Sequence, residues 1–198
     1  MTDTPANPPV RPTHAITIGT VRRELPLFAV APGVTIAILN ILGDVELVAA
    51  AAHGLADRLK DLTFDTLLTA EAKSIPLAHV LAAVMNKPYV VLRKTYKPYM
   101  GEAISAETHS ITTGTVQTLF LDGKDRPLIA GRRVVILDDV ISTGSTLQAM
   151  RAVIAAAQGI VTAEAAILTE GDAAQWAGVI ALGHLPVFTA HNESSASH

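Results

Sequence analysis

The sequence predicts an α/β fold, a mostly parallel twisted sheet flanked by helices, and three observations carry that expectation. Apolar runs alternate with segments of helical spacing along the chain, as strand–helix units do. The run Val134-Val135-Ile136-Leu137 is apolar at every position, which suits a strand covered on both faces. It leads straight into Asp138-Asp139 and the small-residue loop Val140-Ile141-Ser142-Thr143-Gly144-Ser145-Thr146, after which Leu147 onward is spaced as a helix.

The elements follow in order. Residues 1 to 13, rich in Pro, Thr and Asn, read as a disordered tail, and 14–191 as a single domain. From Ile16 to Leu42, apolar residues broken by Pro26, Pro32 and Gly33 read as short strands and turns. Asp44 is placed to cap a helix whose Leu47, Val48, Ala51, Leu55 and Leu59 form one apolar stripe. Thr66–Thr69 reads as a buried strand, Ala70–Ser74 as a turn, and a helix runs to about Met85. Tyr89–Leu92 is a strand that emerges into Arg93-Lys94-Thr95-Tyr96-Lys97, the densest basic patch in the chain. Residues 99 to about 115 read as a polar, irregular lid, and Thr115–Leu121 as a strand. The strand at 133–138 precedes a helix at 145–158 with Gly159 as its C-cap. A strand to Leu168, a short helix over 172–180, a last strand at 184–189 and a disordered tail at 192–198 complete the chain.

Composition narrows the function. A chain of 198 residues, 49% hydrophobic, can bury one good core. A net charge of −3 provides no basic field, so nucleic acid is not an expected partner. With no cysteine, disulfides and thiolate metal sites are excluded, and no histidine pair has the HExxH spacing. The N-terminus lacks the charged and apolar regions of a signal peptide. Glu46, His53, Asp57 and Arg58 interrupt the alanine-rich segment, so no membrane span is expected and the cytoplasm is the expected location.

In a parallel sheet, ligands sit at the carboxyl ends of the strands. Glu71–Ser74, Arg93–Lys97 and Asp138–Thr146 each follow a strand, so they are expected to converge on one edge. Val140–Thr146 offers backbone N–H groups and hydroxyls at a helix start, a ready monophosphate site. Lys73, Arg93, Lys94 and Lys97 suit a more highly charged pyrophosphate, and Asp138 and Asp139 suit sugar hydroxyls or a hydrated cation. Each piece has a plainer reading: the basic patch as a solvated turn, and Gly-Ser-Thr as an ordinary loop. Neither Gly-x4-Gly-Lys-Ser/Thr nor Gly-x-Gly-x-x-Gly occurs, which weakens two common nucleotide-binding readings.

Val134–Thr146 closely resembles the phosphoribosyl-pyrophosphate (PRPP) signature of the type I phosphoribosyltransferases. Leu92-Arg93-Lys94 through Gly101, Pro32-Gly33-Val34 and Asp44-Val45-Glu46-Leu47 stand in the order seen in adenine phosphoribosyltransferases. The resemblance spans roughly residues 20 to 190. It implies the type I fold with a small hood built largely from the N-terminal segment (mainly 16–44). It also implies transfer of the phosphoribosyl group from PRPP to a nucleobase, Mg²⁺ held through water by Asp138 and Asp139, a pyrophosphate loop including Ala72 and Lys73, and a homodimer across which one basic residue reaches. Asp138 and Asp139 are the expected catalytic residues.

Three departures bear on the base. Glu71-Ala72-Lys73-Ser74 replaces the usual Glu-Ser-Arg-Gly, so a cation is kept but its two-pronged geometry is lost. Ala37-Ile38 stands where the hood of the family has a basic–acidic pair, and these two become the expected base contacts. Thr112 stands at the lid glutamate. Thr169-Glu170-Gly171-Asp172 falls where hypoxanthine/guanine enzymes often use a lysine, which argues against a simple 6-oxopurine assignment. The alternatives are a PRPP- or nucleotide-binding regulator, and transfer to another base such as xanthine. Glu107 and His109 are further loop candidates, and Trp176 reads as a core residue or a base-stacking one.

Overall fold

The computed structural model describes residues 11–109 and 116–189. Most of both expected tails, and Thr112, lie outside that set. The described residues form a central sheet of five strands in the order β10-β9-β8-β4-β5, a hood sheet in the order β1-β2-β3-β11, and the pair β6-β7. The strands are β1 Thr13–Ile18, β2 Val21–Ala31, β3 Val34–Ala37, β4 Thr66–Ala70, β5 Tyr89–Leu92, β6 Ile104–His109, β7 Val116–Leu121, β8 Arg133–Ile141, β9 Ile160–Glu170, β10 Ile180–Leu185 and β11 Phe188–Thr189. The helices are α1 Val45–Leu59, α2 Ile75–Met85 and α3 Ser145–Ala156.

Every neighbouring pair in the central sheet is parallel. The unbroken apolar run of β8 follows from this. Val135 and Leu137 join the core beneath α1 and α2, while Val134 and Ile136 join the core beneath α3. Alternate residues of a strand point to opposite faces, and both faces here are covered. Asp44 caps α1 by accepting the Leu47 N–H at 3.1 Å, and Arg23 from β2 forks onto the same carboxylate at 2.7 and 2.9 Å.

Three expectations are corrected and one is extended. Pro26 does not break a strand but lies within β2. Residues 21–26 pair with β1 and residues from Leu27 onward with β3, so the proline stands at the changeover. The hood also takes a strand from the far end of the chain, β11, which pairs with β3. Residues 99–109, the described part of the expected lid, are less irregular than expected, because Ile104 and Ala106 alternate toward the α3 core and make β6 a regular partner of β7. Gly159 is not the left-handed cap; Gln158 takes φ 62° instead. Gly159 answers a close approach, since a Cβ there would stand 2.8 Å from Ile129 Cγ2 and 2.9 Å from its carbonyl oxygen.

Candidate functional site

The carboxyl ends of β4, β8 and β9 open into one cavity of about 300 Å³. From β8 and its loop it is lined by Asp138, Asp139, Val140, Ser142 and Thr146. From the turn after β4 come Glu71, Ala72, Lys73 and Ser74, from the turn after β5 Lys94, from β9 Glu170, and from the hood Ile36–Leu39, including Ala37 and Ile38.

Ser74 ties the two acids together. It is buried at the start of α2, and its hydroxyl lies 2.7 Å from Asp138 Oδ1 and 3.1 Å from Asp139 Oδ1 while accepting the Asp139 N–H at 2.9 Å. One hydroxyl proton cannot satisfy two carboxylates at once. Burial and the adjacent Asp139 charge push Asp138 up to about 7. Asp139 Oδ2 is buried without a hydrogen bond, and the Lys73 ammonium stands 3.1 Å away as an ion pair. Lys73 Nζ also donates to the Leu39 carbonyl at 3.1 Å, which joins the hood to the floor of the site.

The carboxylates offer acceptor oxygens only, as a hydrated cation or a sugar diol requires. Among the described residues no cluster of three or more His, Asp or Glu side chains could enclose a metal. The acids therefore fit Mg²⁺ as part of its surroundings, with the remaining oxygens coming from water and a phosphorylated ligand.

Val140–Leu147 and Asp138 surround a second hollow of about 30 Å³ at the start of α3, which takes in Ile141, Thr143, Gly144 and Ser145. Gly144 has φ 76°, and a Cβ on it would stand 2.8 Å from the Trp176 ring. Trp176 is buried and donates Nε1–H to the Glu170 carbonyl at 2.9 Å, so it packs beneath the loop and does not line the cavity. Ile141 is buried in the α3 core, leaving its backbone for the loop.

Not every expected residue meets in this cavity. Glu71 pairs with Arg93 Nε at 2.5 Å and accepts the Lys94 backbone N–H at 2.6 Å. Arg93 faces a separate groove with Tyr99, Asp122, Lys124 and Asp125, and exposed Lys97 lines neither the groove nor the cavity. Glu107 is exposed on β6, and the lid residues 110–115 lie outside the described set. Sequence reasoning passed over three residues: Ser74 as the tether of the acids, Glu71 as the anchor of the basic turn, and Glu170 as part of the wall. All three stand at a strand end or in the turn after it, which was the available signal.

The chain is 33% identical over 132 residues to a hypoxanthine/guanine phosphoribosyltransferase of Ferroglobus placidus, covering 67% of this chain and 66% of that one. It is 29% identical over 121 residues to a purine biosynthesis transcriptional repressor of Bacillus subtilis, covering 61% and 42%. The chain thus spans less than two thirds of the length of either relative. By fold it superposes on the adenine phosphoribosyltransferase of Thermoanaerobacter pseudethanolicus with a TM-score of 0.61 at 20% identity, covering 87% and 95%. The parallel sheet, the flanking helices and the hood are those of the type I phosphoribosyltransferase fold. With the family model for the phosphoribosyl transferase domain matched over residues 37–173, across the acids, the loop and the basic turn, the chain belongs to the phosphoribosyl transferase domain family.

Proposed function

We propose that the protein is a purine phosphoribosyltransferase that moves the phosphoribosyl group of PRPP onto a purine base and releases pyrophosphate. The observation that carries this reading is the single cavity in which Asp138 and Asp139, the start of α3, Lys73, Lys94 and an apolar hood wall meet. The 5′-phosphate is received by Val140–Thr146 through backbone N–H groups at the helix start. The ribose hydroxyls donate to Asp138 and Asp139. Lys73 exchanges its pair with Asp139 for pyrophosphate oxygens and is joined by Lys94, while Arg93 and Lys97, which do not line the cavity, take no part in this contact. When bound, Mg²⁺ supplies positive charge against the departing pyrophosphate, and Asp138 and Asp139 are the residues to hold it through water. The base lies against Ala37 and Ile38. Its ring nitrogen forms the bond to the anomeric carbon as the carbon–oxygen bond to pyrophosphate breaks, and its ring proton is released. No covalent intermediate with the protein is needed, so the chain contributes positioning and charge. The reading includes a cytoplasmic homodimer that acts without nucleic acid or membrane.

The test is pyrophosphate release when PRPP, Mg²⁺ and each of a panel of bases are mixed with the protein. Release with at least one purine is expected; silence across the whole panel overturns an enzyme. A second reading, a PRPP- or nucleotide-sensing regulator, draws on the similarity to the Bacillus subtilis repressor. Calorimetric PRPP binding without turnover would favour it.

A further inference from the structure

Glu170 is the last residue of β9 and lines the cavity while only 9% exposed. In the sheet order β9 lies on the opposite side of β8 from β4 and β5. The cavity therefore runs from Glu170, across Asp138 and Asp139, to Lys73 and Lys94. Its cations stand at one end and an acid at the other. The cationic end suits pyrophosphate, so the Glu170 end of the same cavity falls to the base.

Glu170 is held in place but its carboxyl is not used internally. Its backbone carbonyl accepts from Trp176, and it sits beside Leu185 in the register of β10. Burial pushes its carboxyl up, and the charge of His184 offsets this in part, with no hydrogen bond contributing. The His184 ring is itself occupied, by Thr169 Oγ1 at 2.9 Å and the Gly171 carbonyl at 3.0 Å. Among the described residues none hydrogen-bonds the Glu170 carboxyl, so its oxygens are open to a ligand's donors in the cavity.

We propose that Glu170 is the specificity-determining residue for the base and selects guanine by accepting its N1–H and 2-amino N–H together. The inference rests on the phosphoribosyltransferase reading above. A carboxylate presents two acceptors side by side, and among the common purines only guanine presents two donors in that arrangement. Hypoxanthine has N1–H alone. Xanthine sets its 2-oxo group against the carboxylate, and adenine sets the N1 lone pair there. The absent lysine thus removes recognition of the 6-oxo group without excluding a 6-oxopurine, because the donor edge is read instead. Pairing of a buried polar group amplifies discrimination, since the wrong base leaves it unmatched.

The experiment compares kcat/KM for guanine, hypoxanthine, xanthine and adenine in the unaltered protein and in Glu170→Gln, at saturating PRPP and Mg²⁺. Calorimetry of GMP, IMP and PRPP runs alongside. The unaltered protein is expected to favour guanine over hypoxanthine by about 10- to 100-fold. In Glu170→Gln that ratio collapses toward equality while PRPP affinity is kept, because the amide offers one acceptor and one donor. An unchanged ratio in the variant, or a preference for adenine in the unaltered protein, overturns the inference and leaves the enzyme reading standing. If no base is turned over, the enzyme reading fails and binding decides. Tighter GMP than IMP binding that Glu170→Gln abolishes supports the inference, and equal binding by the unaltered protein overturns it.

Discussion

Asp138, half-buried, and Asp139, buried, are adjacent acids that share one serine hydroxyl, and their chemistry follows from that crowding. Asp138 titrates above its unfolded value, so its contribution to stability is present in acid and is lost as pH rises through about 7. The ligand-free protein should therefore lose stability between the ordinary carboxylate range and neutrality. Asp138→Asn should flatten that part of the profile, as thermal unfolding across pH would read. Asp139→Asn relieves the repulsion with Asp138 but gives up the ion pair with Lys73, so the melting temperature should stay nearly unchanged. PRPP affinity should nonetheless fall about 10- to 100-fold by calorimetry, the worth of a charge-assisted hydrogen bond. A large stability loss with unchanged binding would make the acid structural. Ser74→Ala should cost about 1–3 kcal/mol in denaturant unfolding, because two carboxylates and one N–H lose their shared partner. The acids were legible from their place after an apolar strand. Ser74 was not, because its partners lie 64 and 65 residues away.

At the scale of elements, β8, its loop and α3 form the unit around which the site is arranged. Gly144 serves it twice, with a left-handed backbone and an absent side chain above the Trp176 ring. Gly144→Ala should cost about 1 kcal/mol or more, since alanine is strained at positive φ, and should weaken PRPP binding more than it lowers the melting temperature. Equal PRPP affinity in this variant would show that the loop does not hold the phosphate. Such a strand–loop–helix unit reads well from sequence because its pieces are contiguous. β6 read less well, although its partner β7 was expected as a strand. Ser105, Glu107 and Thr108 make β6 polar overall, and only the spacing of Ile104 and Ala106 marks its buried side.

Across the whole molecule, long-range ties set the strand ends against one another. Asp65, just before β4, accepts the Arg133 backbone N–H at 2.8 Å and its guanidinium at 2.9 Å, which fixes the start of β4 against β8. The guanidinium holds the Asp65 carboxyl well below its ordinary range. Its stabilisation is thus present above that range and lost as pH falls, opposite in sign to Asp138. Asp65→Asn should lower the melting temperature slightly at neutral pH, as for an exposed pair, and the difference should vanish in strong acid. The sequence by itself determined the α/β class, the alternation of strands and helices along most of the chain, and the acid–loop–helix unit of residues 138–146, because these are written in neighbouring residues through periodicity and turn chemistry. Only the tertiary structure decided that β11 completes the hood, that Lys73 bridges Leu39 and Asp139, that Arg93 turns into a separate groove, and that Glu170 walls the cavity. Those outcomes depend on strand order and crossing distance, which no local pattern encodes.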